Sequence, residues 1–209
     1  MNRTQSTFDF LRVSVESKLK GPSIVTVTSA LADDDASMVA SGLAEAFAEA
    51  GHSTVLVTTR STGTLAWRRW MPAIVPVDGR ANLVRASADQ LTVDVPGGRT
   101  ALAGVVAKLR ETYAVIVVDA EPMPISTVAY ELAREADGVL VAIRLGRKPA
   151  PEDRTTMKLL EDCNAKVLGM VPTTPRKNVT APAAVPASGA VSQAEPFVPH
   201  KQRKAEVGS

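Results

Sequence analysis

The sequence has few of the residues that most often announce a chemistry. Its 209 residues include one cysteine, Cys163, which excludes an intrachain disulfide and a multi-cysteine metal site. Two histidines, His52 and His200, are too few for a histidine metal cluster. Aromatics make up 4% of the chain, so its core must be built from Val, Leu, Ile and Ala. That composition suits a parallel sheet covered on both faces. No apolar run approaches the roughly 18–20 residues of a membrane-spanning helix, so no transmembrane segment is expected. The first twenty residues lack the apolar stretch and small-residue cleavage site of a signal peptide, and the expected location is the cytoplasm. Net charge is small as well, at +2. From Pro172 onward the basic residues Arg176, Lys177, Lys201, Arg203 and Lys204 face only Glu195 and Glu206, so the tail carries +3 and the rest −1. A near-neutral folded part has no electrostatic footprint for nucleic acid, and none is expected as a partner.

What the sequence does have is alternation. Residues 5–20 read as an amphipathic helix with Phe8, Leu11, Val15 and Leu19 near one face, stopped by Gly21-Pro22. Ser23–Ser29 (SIVTVTS) is a β-branched run and reads as a buried strand. A helical run follows Asp33-Asp34-Asp35. Any of these aspartates suits a cap there, and Gly51 suits the far end. Ser53–Thr59 is a second strand. Leu65–Met71, with Trp67 and Trp70, reads as a short helix. Short β-like pieces are expected over Ala73–Val77, Asn82–Ala86 and Leu91–Val95. Helices over Gly97–Glu111, Ile125–Glu135 and Pro151–Cys163 then alternate with strands at Tyr113–Asp119, Gly138–Ile143 and Lys166–Val171. This order implies βαβ units: an α/β fold with a mostly parallel sheet and helices on both faces. Two segments are expected, a folded domain over 1–171 and a Pro/Ala/Ser-rich, weakly basic, disordered tail over 172–209.

In such sheets ligands sit at the carboxyl ends of strands, near the first βα turn. Here that turn runs from Ser29 to Ser37. A working phosphate loop needs glycines so that its N–H groups can close around phosphate, a lysine for the β/γ oxygens, and a Ser or Thr for Mg²⁺. The turn has no glycine and no lysine; only Ser37 suits the metal. Asp33 to Asp35 are expected to cap the helix and take its free N–H groups, which repels a phosphate. A rival reading makes them a divalent-cation site.

The ordered segments resemble the cytoplasmic ATPase domain of bacterial tyrosine kinases of capsular and exopolysaccharide synthesis, relatives of the Min and Par ATPases with a P-loop NTPase-like fold. The likeness spans roughly residues 7–171. Thr7-Phe8-Asp9-Phe10-Leu11-Arg12 is similar to the family's Phe-Arg-x-Leu-Arg helix. Val27-Thr28-Ser29-Ala30 matches its Val-Thr-Ser-Ala, and Ser37 matches the last residue of its Pro-Gly-Glu-Gly-Lys-Ser. Asp33 and Asp35 stand in place of the glycines and Ala36 in place of the lysine. Val57-Thr58-Thr59-Arg60 stands where the family has Val-Asp-Ala-Asp. Tyr113 to Asp119 resembles the Walker B strand; Ala136–Val141 and Ala165–Val171 match further strands. Pro172 and Thr173 replace an asparagine that contacts the base. The tyrosine cluster of autophosphorylation is absent.

The resemblance thus implies a degenerate member: a pseudo-ATPase or pseudokinase that serves as an interaction or regulatory protein in exopolysaccharide or capsule synthesis or export, with no confident catalytic residue and no cofactor. Its expected partner is a protein, such as a membrane chain-length regulator or an active paralogue, which would recruit it to the inner face of the membrane. Homo-oligomers occur in the family. The N-terminal helix and Trp67, Arg68, Arg69 and Trp70 are candidate docking elements. One alternative is an active tyrosine kinase or ATPase that binds ATP and Mg²⁺ through Ser37 and the Walker B candidate Asp119, with Arg60 or Lys20 replacing the lysine. Another is a Min/Par-type partition protein or cellulose-synthesis regulator, for which the basic tail would bind anions.

Overall fold

The computed structural model describes residues 3–59, 74–87 and 98–174. The chain divides into a compact unit, Met1–Pro175, and a second, Arg176–Ser209, which lies outside the described residues. In order, the elements are α1 (Arg3–Glu16), β1 (Ser23–Ser29), α2 (Ala36–Glu49), β2 (Thr54–Thr58), β3 (Ile74–Val77), β4 (Arg80–Ser87), α3 (Gly98–Thr112), β5 (Val115–Asp119), α4 (Thr127–Glu135), β6 (Gly138–Arg144), α5 (Pro151–Asp162) and β7 (Val167–Thr173). Short 3-10 turns, Ala32–Asp34 and Met123–Ile125, precede α2 and α4. The strands form one sheet in the order β3-β4-β2-β5-β1-β6-β7. All neighbours are parallel except β3 and β4, whose antiparallel pair turns at Asp78-Gly79, with Gly79 at φ 74. A Gly there takes the left-handed conformation at no steric cost.

Every residue of β1 and β5 is buried, because the sheet is covered on both faces. On one face Val25, Val27, Val115 and Val117 pack against Val15 of α1 and Val39, Leu43 and Phe47 of α2. On the other, Ile24, Ile116 and Val118 pack against Val105 and Leu109 of α3, Leu132 of α4 and Leu160 of α5. Each large side chain removed from water contributes about 1.5–3 kcal/mol. α1 approaches α2 closely because Gly42 has no side chain: a Cβ there would sit 2.4 Å from the Phe8 ring.

The expected alternation holds, with two boundary corrections. α1 ends at Glu16, four residues before the expected limit; Leu19 still packs on the core from the turn that follows. Pro172 and Thr173, expected in the tail, belong to β7. Proline is tolerated because β7 is an edge strand, and Thr173 is buried, its hydroxyl donating to the Asp34 carbonyl (3.1 Å). The free edge of β7 is blunted further by Lys18, whose Nζ donates to the Leu168 carbonyl (2.6 Å). Arg60, the Leu65–Met71 helix with Trp67, Arg68, Arg69 and Trp70, and the Leu91–Val95 piece lie outside the described residues.

Candidate functional site

β1 leads into α2 on one face of the sheet, while its neighbour β5 leads into α4 on the other. The two connections part at the carboxyl ends of β1 and β5, and α/β folds hold ligands in such a crevice. The structure brings the predicted pair together there. Ser37, in the first turn of α2, donates its hydroxyl to Asp119 Oδ1 at 3.0 Å. Asp119 ends β5 and is 6% exposed. Thr58, at the end of β2, lies 3.5 Å from Asp119 Oδ2, and the Thr59 backbone N–H donates to the Asp119 carbonyl (3.0 Å). The β2 end thus meets Asp119 with hydroxyls where the resembled family has carboxylates.

The Ser29–Ser37 connection differs from expectation. The aspartates do not cap α2. Asp35 holds the cap position without a side-chain cap bond, and its backbone is left-handed, at φ 56. The pattern of the resembled family has glycine at this position; here an aspartate holds the glycine-like backbone. Asp34 turns the other way and is fully buried. Its Oδ1 accepts from the Arg147 Nε (2.7 Å) and the Arg144 N–H (3.1 Å), its Oδ2 from an Arg147 Nη (3.1 Å) and the Leu31 N–H (3.1 Å). Asp33, half-exposed, pairs with the Arg144 guanidinium at 2.6 Å.

Arg147 is the hub. Its fork holds Asp34 on one side and Asp153, in the first turn of α5, on the other; one Nη also donates to the Lys148 carbonyl (3.2 Å). These contacts use all five guanidinium N–H donors, so none is left for a ligand. Its pKa is raised above the usual arginine value by its bonds to Asp153 first and Asp34 second. Asp153 is held down at about 2, chiefly by its hydrogen bond from Arg147, and its Oδ2 also accepts from the Ala150 N–H (2.8 Å). Sequence reasoning missed Arg144 and Arg147. The signal was there: Arg144 ends β6 and Arg147 follows it, in Ile143-Arg144-Leu145-Gly146-Arg147, at the carboxyl end of the sheet where sites form.

These residues do not fit a nucleotide's phosphates. The loop has no glycine, and the position of the family's lysine is a fully buried alanine, Ala36. Asp33, Asp34, Asp35, Asp119 and Asp153 outnumber Arg144 and Arg147, and both arginines are committed to carboxylates. Lys20 precedes β1 at the amino end of the strand, a strand length of roughly 20 Å from the crevice, so it does not replace the missing lysine. Among the described residues, no group of three or more His, Cys, Asp or Glu side chains is placed to hold a metal ion, Asp33 to Asp35 included. Ser37 and Asp119 supply two hard oxygen ligands, a set that holds Mg²⁺ only together with further oxygens. A groove of about 770 Å³ lies at the other end of the sheet, among Arg12, Glu16, Phe47, His52 and Val115, and touches none of these groups. Cys163, buried beside α5, has its thiol pKa pushed up by burial. No helix among the described residues is long and apolar enough to cross a membrane.

No family model and no curated protein matches the sequence. Solved structures do match its fold. The chimerical protein CapA2B2 is similar with a TM-score of 0.66 at 19% identity, over 81% of this chain and 84% of that one. The kinase domain of the Escherichia coli tyrosine kinase ETK gives 0.64 at 18%, over 91% and 80%. A cobyrinic acid a,c-diamide synthase of Mycobacterium smegmatis, solved with bound ADP and magnesium, gives 0.60 at 16%, over 72% and 74%. At these identities the likeness establishes the fold alone: an α/β fold with a mostly parallel sheet, as in the tyrosine-kinase domain and the synthase.

Proposed function

We propose that the protein is a non-catalytic ATPase-like domain that acts by binding another protein in exopolysaccharide or capsule synthesis or export. The observation that carries this reading is the crevice itself. Where phosphate would sit, the chain places an excess of carboxylates, and the two arginines beside them are already held by those carboxylates. Two like charges about 4 Å apart, at an effective dielectric of ~20, cost on the order of 4 kcal/mol before screening. The scaffold is that of a nucleotide-binding fold, while the loop lacks the glycines and lysine that would hold a phosphate. The family likeness names the partners to try: the cytoplasmic segment of a membrane chain-length regulator, or an active kinase paralogue. Either would bring a cytoplasmic protein to the inner face of the membrane.

The test is turnover by the full chain. With millimolar ATP and Mg²⁺, phosphate release and phosphate transfer to protein stay at background, and Asp119→Ala changes nothing. Turnover above background that Asp119→Ala abolishes would overturn the reading. It would make the chain a kinase or ATPase with Ser37 and Asp119 at the metal, since these two remain 3.0 Å apart.

A further inference from the structure

The Arg147 cluster links several elements of the fold. It joins the β1–α2 loop to segments more than 100 residues later in the chain. Asp34 belongs to the β1–α2 loop, Arg144 and Arg147 to the last residue of β6 and the connection that follows it, and Asp153 to the first turn of α5. A fourth element enters through Thr173 at the end of β7, whose hydroxyl donates to the Asp34 carbonyl (3.1 Å) and whose carbonyl accepts from the Leu145 N–H (2.8 Å). Arg147 is 8% exposed and Asp34 fully buried. The Arg147–Asp34 bonds are not easily opened alone, because freeing Arg147 leaves the Asp34 carboxylate buried without its main partner. In a phosphate-binding loop, closure and opening accompany the ligand. Here the loop is held from within by a bidentate guanidinium.

We propose that Arg147 is the pin of a conformational tie: the β1–α2 loop, the first turn of α5 and the carboxyl end of β7 open and close as one unit. A partner that engages the start of α5 or the end of β7 is thereby felt at the loop, more than 100 residues away in sequence. This goes beyond partner binding, since it assigns a route by which binding at one edge changes the crevice. It holds or fails regardless of whether nucleotide binds.

Native-state hydrogen exchange on the full chain tests it. The reporter amides are those that close the cluster: Leu31 and Arg144 on Asp34, Ala150 on Asp153, and Leu145 on Thr173. In the unaltered protein all four exchange through one opening, with protection factors that agree within about threefold. Arg147→Met accelerates all four together, by about a hundredfold or more, while Val25 and Val117 in the central strands keep slower exchange. Should Arg147→Met not fold, Asp153→Asn leaves the Arg147–Asp34 bonds in place. The tie then predicts faster exchange at Leu31 and Leu145 as well as at Ala150. Exchange that rises at Ala150 alone, or four unrelated protection factors in the unaltered protein, would overturn it.

Discussion

Replacing Arg147 by Met should be among the most damaging single changes in the described fold. Methionine keeps an apolar stem but removes five hydrogen bonds at once. Asp34 then remains fully buried with only the Leu31 and Arg144 N–H groups to hold its charge. Breaking a buried ion pair from one side costs about 3–5 kcal/mol, a large share of a typical total of ~5–15 kcal/mol. For a domain of this size each kcal/mol shifts Tm by about 2–4 °C, so a fall of roughly 6–20 °C is expected. Asp34→Asn alone costs less, about 1–3 kcal/mol, because Arg147 keeps Asp153. In the double variant the stranded carboxylate is gone, so the two costs do not add: a coupling of about 2 kcal/mol or more is expected. Urea unfolding at pH 7, followed by circular dichroism across the four proteins of the cycle, measures it. Costs that add within about 0.5 kcal/mol, or an Arg147→Met cost below ~1 kcal/mol, would refute the hub.

Acid should act through the same cluster. Asp153 is held at about 2 against an ordinary 3.8, so its stabilisation is complete above about pH 4 and is lost as the pH falls toward 2. A shift of just under two units corresponds to at most about 2–3 kcal/mol, and stability against pH in the Arg147→Met protein lacks that increment. Asp35, at φ 56, predicts an order of stability of Gly at or above Asp, and both above Val by about 1–2 kcal/mol, since a β-branched residue resists this conformation. Thermal melts of the three proteins rank them. Gly42→Ala should set two effects against each other: a better helix former, worth about 1 kcal/mol, and a Cβ 2.4 Å from the Phe8 ring, which costs about 1–3 kcal/mol. The clash wins if α1 is rigidly seated, seen as faster amide exchange in α1 and unchanged exchange in β1.

The layout was legible in the sequence because each central strand is a β-branched run and the helices carry their own stops. Burial on both faces is readable in Ser23–Ser29 and Val115–Asp119 without knowing what covers them. Every residue there, apart from the terminal Asp119, is apolar or small enough to pack under a helix. Ser37 and Asp119 were legible through the resemblance, as the last residue of the phosphate-loop pattern and the end of the Walker B strand, and the fold brings them into contact. The aspartates were misread as caps because capping is a local rule, while the partner that claims Asp34 comes from a position 113 residues away. The end of β7 was misplaced for a similar reason. Pro172 reads as a breaker in sequence, and only its place at the sheet edge makes it tolerable.

The proposed function requires a crevice that does not accept a nucleotide's phosphates, which calorimetry measures. The unaltered chain is titrated with ATP and with ADP in the presence of Mg²⁺, beside an Asp33→Gly/Asp35→Gly/Ala36→Lys variant that restores the loop's glycines and lysine. The unaltered chain is expected to give no heat and no thermal shift at millimolar nucleotide, with any binding confined to the restored variant. Micromolar binding by the unaltered chain, lost in Asp119→Ala, would contradict it.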